Sequence, residues 1–308
     1  MKNIFTILSA VVLILASSFT QAQIQVLTGT EYGTYYSLAQ DMNKLLPTVK
    51  GVKAKDTLDM PFLDIRSTSG SSFNFDIITQ KDHPAKVAFM QLDYLLLMKA
   101  DDYMNGTKFT DDIMVLMTVS MEEIHLITKE GSPINSLADL KGRKVAIGNK
   151  AEGTYSTATY IQNNSKVEWQ SKNISTQDVM KPLILDKIDA FFMVASSPVK
   201  MIDFLPGTSP AKFKLVSIED VNGWVGNYVP FTIPAGTYKW QKEDVSTFGV
   251  PSVVVVNVSK LSEEEKQQLL QWKAATIENL ENLKETGHPA WKTALVTSWE
   301  NTYWPTMK

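Results

Sequence analysis

Cysteine is absent from the 308-residue chain, and histidine occurs only three times. Without cysteine there is no disulfide, thiolate nucleophile, thiolate-ligated zinc or iron–sulfur cluster. The histidines His83, His125 and His288 are far apart in the sequence, which nearly excludes a multi-histidine metal site. We therefore expect no metal and no other cofactor, and we expect stability to come from the core alone.

An excess of positive charge is also missing. The chain has 30 Lys and Arg residues against 33 Asp and Glu residues, a formal net charge of −3. Nothing in this balance would neutralise a phosphate backbone, so we expect no nucleic-acid binding. Charged residues make up 20% and hydrophobic residues 44% of the chain. This composition excludes a disordered chain and is sufficient for one large domain or two lobes.

A long apolar run occurs only at the N-terminus. Lys2 supplies a positive charge, residues 4–19 are apolar, and Ala22 precedes a plausible cleavage point. This pattern is typical of a secretory signal peptide; the alternative, a membrane anchor, usually needs about 20 apolar residues. We therefore expect residues 1–22 to be cleaved, and the mature protein to be periplasmic and soluble, with no direct membrane insertion.

Short apolar runs alternate with segments of helical spacing along the rest of the chain. This alternation is typical of an α/β fold with largely parallel sheets. No linker rich in Pro, Gly or Ser is present, so two lobes would be joined by strands rather than by a flexible tether. We predict crossover strands within residues 115–127 and 228–256, which would form a hinge.

Three local predictions can be compared directly with a structure. Residues 112–120 and 123–128 are predicted to be two separate strands, and residues 175–187 a helix kinked at Pro182. The segment Ser262-Glu263-Glu264-Glu265 has the pattern of a capping box. It predicts the start of one long helix that ends at Gly287.

The sequence patterns of common catalytic sites are absent. The chain contains no His-Glu-x-x-His, Gly-x-Ser-x-Gly, Walker or Gly-x-Gly-x-x-Gly motif. Ser71 lies in Ser69-Gly70-Ser71-Ser72, which lacks the second glycine of a nucleophile elbow. Carboxylates are scattered and could pair in space. The main interpretation is nevertheless a binding protein and not an enzyme, with a secreted hydrolase as the rival.

Three turns rich in Gly, Ser, Thr and Tyr each follow a predicted strand and begin a helix, at residues 28–36, 68–74 and 148–154. Helix N-termini at the carboxyl ends of parallel strands suit a carboxylate or a phosphate. The alternative is that these are ordinary turn and capping residues. The candidate ligand-binding residues in the turns are Gly33, Tyr35, Tyr36, Ser69, Gly70, Ser71, Glu152, Gly153 and Thr154.

Three further residues, Gln91, Asp93 and Tyr228, complete the predicted site. Gln91 and Asp93 end the third predicted strand, although Asp93 could simply cap its helix. Tyr228 could belong to a lid together with Trp224, or both rings could lie in the core. Glu152 could meet a ligand ammonium, or it could be a solvated surface charge.

Six short motifs between residues 24 and 256 resemble those of the TAXI-type solute receptors of TRAP transporters, in the order found in that family. They are Gly33-Thr34-Tyr35-Tyr36, Thr68-Ser69-Gly70-Ser71-Ser72-Phe73-Asn74, Gln91-Leu92-Asp93, Asp139-Leu140-Lys141-Gly142 with Val145-Ala146-Ile147-Gly148, Ile188-Asp189-Ala190-Phe191-Phe192, and Ile233-Pro234-Ala235-Gly236-Thr237-Tyr238. The chain departs from the family pattern at Glu152, where a serine is usual.

The resemblance implies a two-lobed, periplasmic binding protein-like (type II) α/β fold. Each lobe would be a mainly parallel sheet flanked by helices, and two crossover strands would join the lobes. Lobe 1 would comprise residues 23–118 and 235–308, and lobe 2 residues 119–234.

The implied function is the capture of a small anionic or zwitterionic solute, such as an amino acid or a dicarboxylate. The implied partners are the membrane subunits of a TRAP-type secondary transporter. The alternatives are a periplasmic ligand-sensing protein and a binding protein of an ATP-driven importer.

Overall fold

In the computed structural model, residues 23–45, 63–203, 212–297 and 303–308 are described. The predicted signal peptide at residues 1–22 lies outside them. Within the described ranges, no helix combines the length and apolarity needed to cross a bilayer.

The first half of the fold is built from strands that are each followed by a helix. Its parallel strands are β1 (Ile24–Leu27), β2 (Leu63–Arg66) and β3 (Val87–Gln91), with β1 in the middle. The helices that follow them are α1 (Thr34–Lys44), α2 (Ser71–Thr79) and α3 (Leu92–Asn105). Every residue of β3 is buried, as expected for a strand covered on both faces.

The second half repeats this arrangement. Its parallel strands are β5 (Lys144–Ala146), β6 (Gln170–Lys172) and β7 (Ala190–Ala195), and its helices are α4 (Gly153–Ser165), α5 (Met180–Ile184) and α6 (Lys200–Asp203). Two short strands, β8 (Phe213–Leu215) and β9 (Val229–Ile233), add antiparallel pairing.

Two long strands connect the halves, as predicted. β4 (Ile113–Lys129) and β10 (Val245–Asn257) pair antiparallel, and the order of the continuous sheet is β2-β1-β3-β10-β4-β7-β5-β6. β4 pairs with β7 at one end, and β10 pairs with β3 at the other. The result is the two-lobed binding-protein fold; the exact lobe limits stay a prediction.

The prediction of two separate strands in this region is wrong, because β4 continues through 17 residues. Glu122 and Glu123 interrupt the apolar pattern, yet both side chains are buried and hydrogen-bonded inside the fold. The predicted helix at residues 175–187 is also largely wrong, since only α5 is helical. Ser175 and the Thr176 amide donate to Glu152, so this part of the segment is held as a loop.

The C-terminal helices complete the core of the first half. The capping box is confirmed: Ser262 Oγ accepts from the Glu265 amide, and the Glu265 carboxylate accepts from the Ser262 amide. The predicted single helix is divided at Asn279 into α7 (Glu263–Glu278) and α8 (Leu280–Thr286). Trp272 and Trp291 are fully buried in the cluster that contains α1 and β1.

Replacing Ser262 with Ala should lower the free energy of unfolding by about 1 kcal/mol, because the Glu265 amide in the first turn of α7 loses its hydrogen-bond acceptor, Ser262 Oγ. For lobes of this size the melting temperature should fall by about 2–4 °C, measurable by calorimetry. Gln267→Ala, at an exposed position on the same helix, is the control. Equal melting temperatures for the two variants would contradict a stabilising role for the cap.

Candidate functional site

The three glycine-rich turns meet at one cavity of about 740 Å³ between the two halves. The turn after β1, the turn after β2 and the turn after β5 all line it, at the carboxyl ends of their strands. Of the predicted site residues, those that line this cavity are Gly33, Tyr35, Ser69, Gly70, Ser71, Gln91, Glu152, Gly153 and Thr154. Tyr36, Asp93 and Tyr228 lie outside its lining.

Three helices begin at the cavity without a side-chain cap. The N-cap residues of α1, α2 and α4 are Gly33, Gly70 and Glu152, and none of them caps its helix through a side chain. Gly70 has φ +119°, a conformation that an L side chain rarely adopts. Uncapped first turns present amide donors and a partial positive charge, so this wall of the cavity favours a carboxylate.

The first turns of α2 and α4 touch each other across the cleft. The Phe73 amide of α2 donates to the carbonyl of Ala151 just before α4, at 3.3 Å. A Cβ atom on Gly153 would lie 2.0 Å from Gln91 Oε1 and 2.9 Å from Ser71 Oγ. Glycine is therefore required at this contact, and the lobes stand in a closed arrangement.

An acidic residue that the sequence analysis did not select lies in the cavity lining. Glu122, on β4, is only 3% exposed, and Tyr35 Oη donates to its Oε2 at 3.0 Å. Burial raises the pKa of Glu122 to about 8, with Asp93 and Glu123 adding to the rise and hydrogen bonds from Gln91 and Tyr35 opposing it. The signal that could have found it is an acidic pair inside an otherwise apolar strand.

Glu152 is buried and is not a solvated surface charge. Its carboxylate accepts hydrogen bonds from Asn149 Nδ2 at 2.9 Å, Ser175 Oγ at 2.7 Å and the Thr176 amide at 3.1 Å. These bonds fix the loop at residues 175–176 against the start of α4. Glu152 thus shapes the wall of the cavity, and its two oxygens already have protein donors.

Asp93 and Tyr228 bind each other. Tyr228 Oη donates to Asp93 Oδ2 at 2.6 Å, and Thr157 Oγ1 on α4 donates to the same oxygen at 2.7 Å. The contact connects α3 of the first half to α4 and to the loop before β9, beside a smaller cavity of about 380 Å³. Trp224 is buried against the Tyr228 ring with centroids 5.5 Å apart, so it belongs to the core.

A histidine–serine pair is present near the hinge. His125 Nε2 lies 3.2 Å from Ser197 Oγ and 2.8 Å from Tyr238 Oη, and its Nδ1 donates to the Glu123 carbonyl at 2.9 Å. Burial lowers the pKa of His125 to about 4. Because His125 is fully buried and the Ser197 hydroxyl does not line the cavity, the geometry is that of a structural network.

Comparison with known proteins identifies both a family and a fold. The sequence profile of the NMT1-like family matches residues 26–301. The chain is similar to an ancestral arginine-binding protein bound to arginine, with 12% identity over 88% of this chain and 95% of that one and a TM-score of 0.50. At this identity the likeness shows the fold alone.

Two further solved structures are similar. Tv2483 bound to L-arginine has 10% identity over 90% of this chain and 95% of that one, with a TM-score of 0.50. A probable amino-acid ABC transporter extracellular-binding protein from Bacillus subtilis has 14% identity over 85% of this chain and 93% of that one, with a TM-score of 0.48.

Replacing Gly153 with Ala should prevent closure, because the new Cβ would clash with Gln91 Oε1. Since the chain has no cysteine, cysteines introduced at the exposed Asp76 on α2 and Asn163 on α4 can carry spin labels for pulsed distance measurements. Gly153→Ala should show a longer distance between the two labels than the labelled chain that keeps Gly153. Ser156→Ala, one turn along α4, is the control, and an unchanged distance in Gly153→Ala would contradict the assignment.

Tyr228→Phe removes one of the two side-chain hydrogen bonds on Asp93 and should favour opening. A hydrogen bond to a charged group is worth about 1.5–3 kcal/mol, so the open fraction should rise roughly tenfold or more. The same spin-label pair measures this fraction. Tyr160→Phe, at a ring 5.4 Å from the Tyr228 ring, is the matched control. Identical distance distributions for both variants would show that the Tyr228–Asp93 hydrogen bond does not hold the lobes closed.

Proposed function

The chain belongs to the NMT1-like family, and we propose that it is an extracytoplasmic solute-binding protein without catalytic activity. It captures one small solute between its lobes and presents it to membrane transporter subunits. The observation that supports this proposal is the meeting of three uncapped helix starts, from both lobes, at one cavity. A volume of about 740 Å³ suits a small-molecule ligand.

The proposed solute is anionic or zwitterionic, such as an amino acid or a dicarboxylate. The first turns of α1, α2 and α4 favour a carboxylate group. Lys200 also lines the cavity and adds a positive charge, whereas Glu122 supplies a site for a hydrogen-bond donor. Residues Gly33, Tyr35, Ser71, Gly153 and Thr154 are proposed to surround the carboxylate.

Closure of the lobes is proposed as the capture step. The β4–β10 pair has register shifts between Pro251 and Val253 and between Val254 and Val255, which mark an irregular region where the strands cross. This irregular pairing is the proposed hinge between the two lobes. A solute can drive closure only to the extent that it binds the closed arrangement more tightly than the open one.

The transport partner has two candidate forms. Delivery to a TRAP-type secondary transporter, expected from the sequence motifs, stays a prediction. The alternative of an ATP-driven importer fits the matched proteins better, because the Bacillus subtilis protein is described as belonging to an amino-acid ABC transporter. That likeness concerns the fold, so the proposal names transporter subunits in general. A periplasmic location after cleavage of residues 1–22 is part of the same proposal, and a sensory role is the remaining alternative.

A thermal-shift panel of amino acids, dicarboxylates and sugars tests the proposal. A solute at 100 times its Kd should stabilise the protein by about 2.7 kcal/mol, which corresponds to a rise of about 5–10 °C in melting temperature. Isothermal titration should then give one site per chain, and the solute should be recovered unchanged.

Sugars serve as the control class, since the cavity wall of helix starts favours an anionic group over neutral ligands. No shift with any small anion or zwitterion would contradict the proposal, and conversion of a bound compound would indicate an enzyme. Uptake assays with candidate membrane subunits would distinguish dependence on ATP from dependence on an ion gradient.

A further inference from the structure

The cavity contains a buried acceptor that lacks a partner. Gln91 ends β3, is 2% exposed and lines the cavity. Among the described residues its Oε1 atom has no hydrogen-bond partner. A buried carbonyl oxygen without a donor costs free energy, so the site is incomplete at this atom. A group that donates a hydrogen bond would complete it.

Glu122 supplies a second acceptor in the same lining. Tyr35 Oη donates to Glu122 Oε2 at 3.0 Å. Hydrogen bonding with the Gln91 side chain also stabilises the ionised form of this carboxyl. Gln91 on β3 and Glu122 on β4 therefore form a pair of neighbouring hydrogen-bond acceptors, here called the acceptor corner. Tyr35 on α1 donates a hydrogen bond to this pair. The corner lies in the same cavity as the uncapped helix starts.

Within the described ranges, the groups found to shift the pKa of Glu122 do not include a cation. Tyr35 on α1, Asp93 on α3 and Glu123 on β4 are its titratable neighbours, and each can only become negative. No salt bridge among the described residues includes Glu122. The other titratable side chains in the cavity lining are Tyr32, Glu152, Asp178 and Lys200.

We propose that Glu122 and Gln91 determine specificity by binding a protonated amine of the solute, so that the site selects zwitterions over dicarboxylates. This inference rests on the proposed function and narrows its ligand class. The helix starts of α1, α2 and α4 would bind the carboxylate of the same molecule. A dicarboxylate without an amine would leave Gln91 Oε1 without a donor and would place negative charge beside Glu122.

Proton release should accompany binding at neutral pH. With a pKa of about 8, Glu122 is mostly protonated in the free protein below that pH. An ammonium partner favours the ionised form, so the bound carboxyl must lose its proton. The apparent Kd should therefore decrease by up to about tenfold for each unit of pH between 6 and 8, and level off above 8.

Matched ligand pairs test the amine requirement. Aspartate and succinate, glutamate and glutarate, and leucine and 4-methylpentanoate each differ only by an amino group. Isothermal titration of the intact mature chain should show binding at least tenfold tighter for the amine-bearing member of any pair that binds. Titration in two buffers of different ionisation enthalpy should show the release of up to one proton.

Glu122→Gln should remove both properties, with a loss of at least tenfold in amine preference and a flat pH profile from 6 to 8. Glu123→Gln is the matched control, because this neighbouring carboxyl is also buried but does not line the cavity. It should keep the preference and the pH dependence, and unfolding curves would verify that both variants are folded. The buffer comparison on the unmodified chain needs no variant.

The outcomes separate the two proposals. Binding without amine preference, tighter binding of a dicarboxylate, or no proton release would overturn this inference and leave the solute-binding function intact. An unchanged preference in Glu122→Gln would also overturn it. Failure of every member of every pair to bind would contradict the proposed function itself, and this inference with it.

Discussion

The contact between the starts of α2 and α4 is the constraint on which the closed arrangement depends. Both helix N-termini carry a partial positive charge, so bringing them together is unfavourable unless an acceptor lies between them. The Ala151 carbonyl meets this need for the Phe73 amide. Other amides of the first turns are left for a ligand carboxylate. Gly153 permits the approach because any side chain there would strike Gln91. On the proposed function, closure would therefore bring the helix starts together around the carboxylate of the solute.

Part of the contact between the lobes is made by hydroxyl groups, which on the proposed function would help the lobes to separate again. Ser120 Oγ lies 2.9 Å from both Ser196 Oγ and Ser252 Oγ, and Thr34 Oγ1 donates to the Ser196 carbonyl at 3.2 Å. Hydroxyl groups can exchange such partners for water at little net cost, whereas separating an apolar interface would expose hydrophobic surface. The large aromatic side chains Trp272 and Phe191 lie in separate clusters, whereas a third cluster contains residues of both halves, such as Leu95 on α3 and Ile161 on α4. The contact between the halves is therefore partly polar and partly apolar, and only its hydroxyl groups can exchange partners with water at little cost.

The sequence predicted the elements that follow local rules and missed those decided by tertiary contact. The turn around Gly70 and the capping box at Ser262 are encoded by nearby residues, and both occur where the pattern indicates. Glu122 was missed because an acid in a strand interrupts the apolar periodicity, and only the assembled sheet shows that it is buried. Tyr228 is 135 residues from Asp93, so no local pattern could show that the two bind each other instead of a ligand.

The acids around the cavity connect closure to protonation. Burial raises the pKa of Glu122 to about 8 in the closed arrangement, so its carboxyl holds a proton near neutral pH when no ligand is bound. Asp93, which accepts a hydrogen bond from Tyr228, adds to the rise in the pKa of Glu122 by repelling a second negative charge. An ammonium group could replace the proton, but a second carboxylate could not. On the proposed function, selection of the solute would then follow from the electrostatics of the closed site, because only a ligand that brings its own positive charge can take the place of that proton.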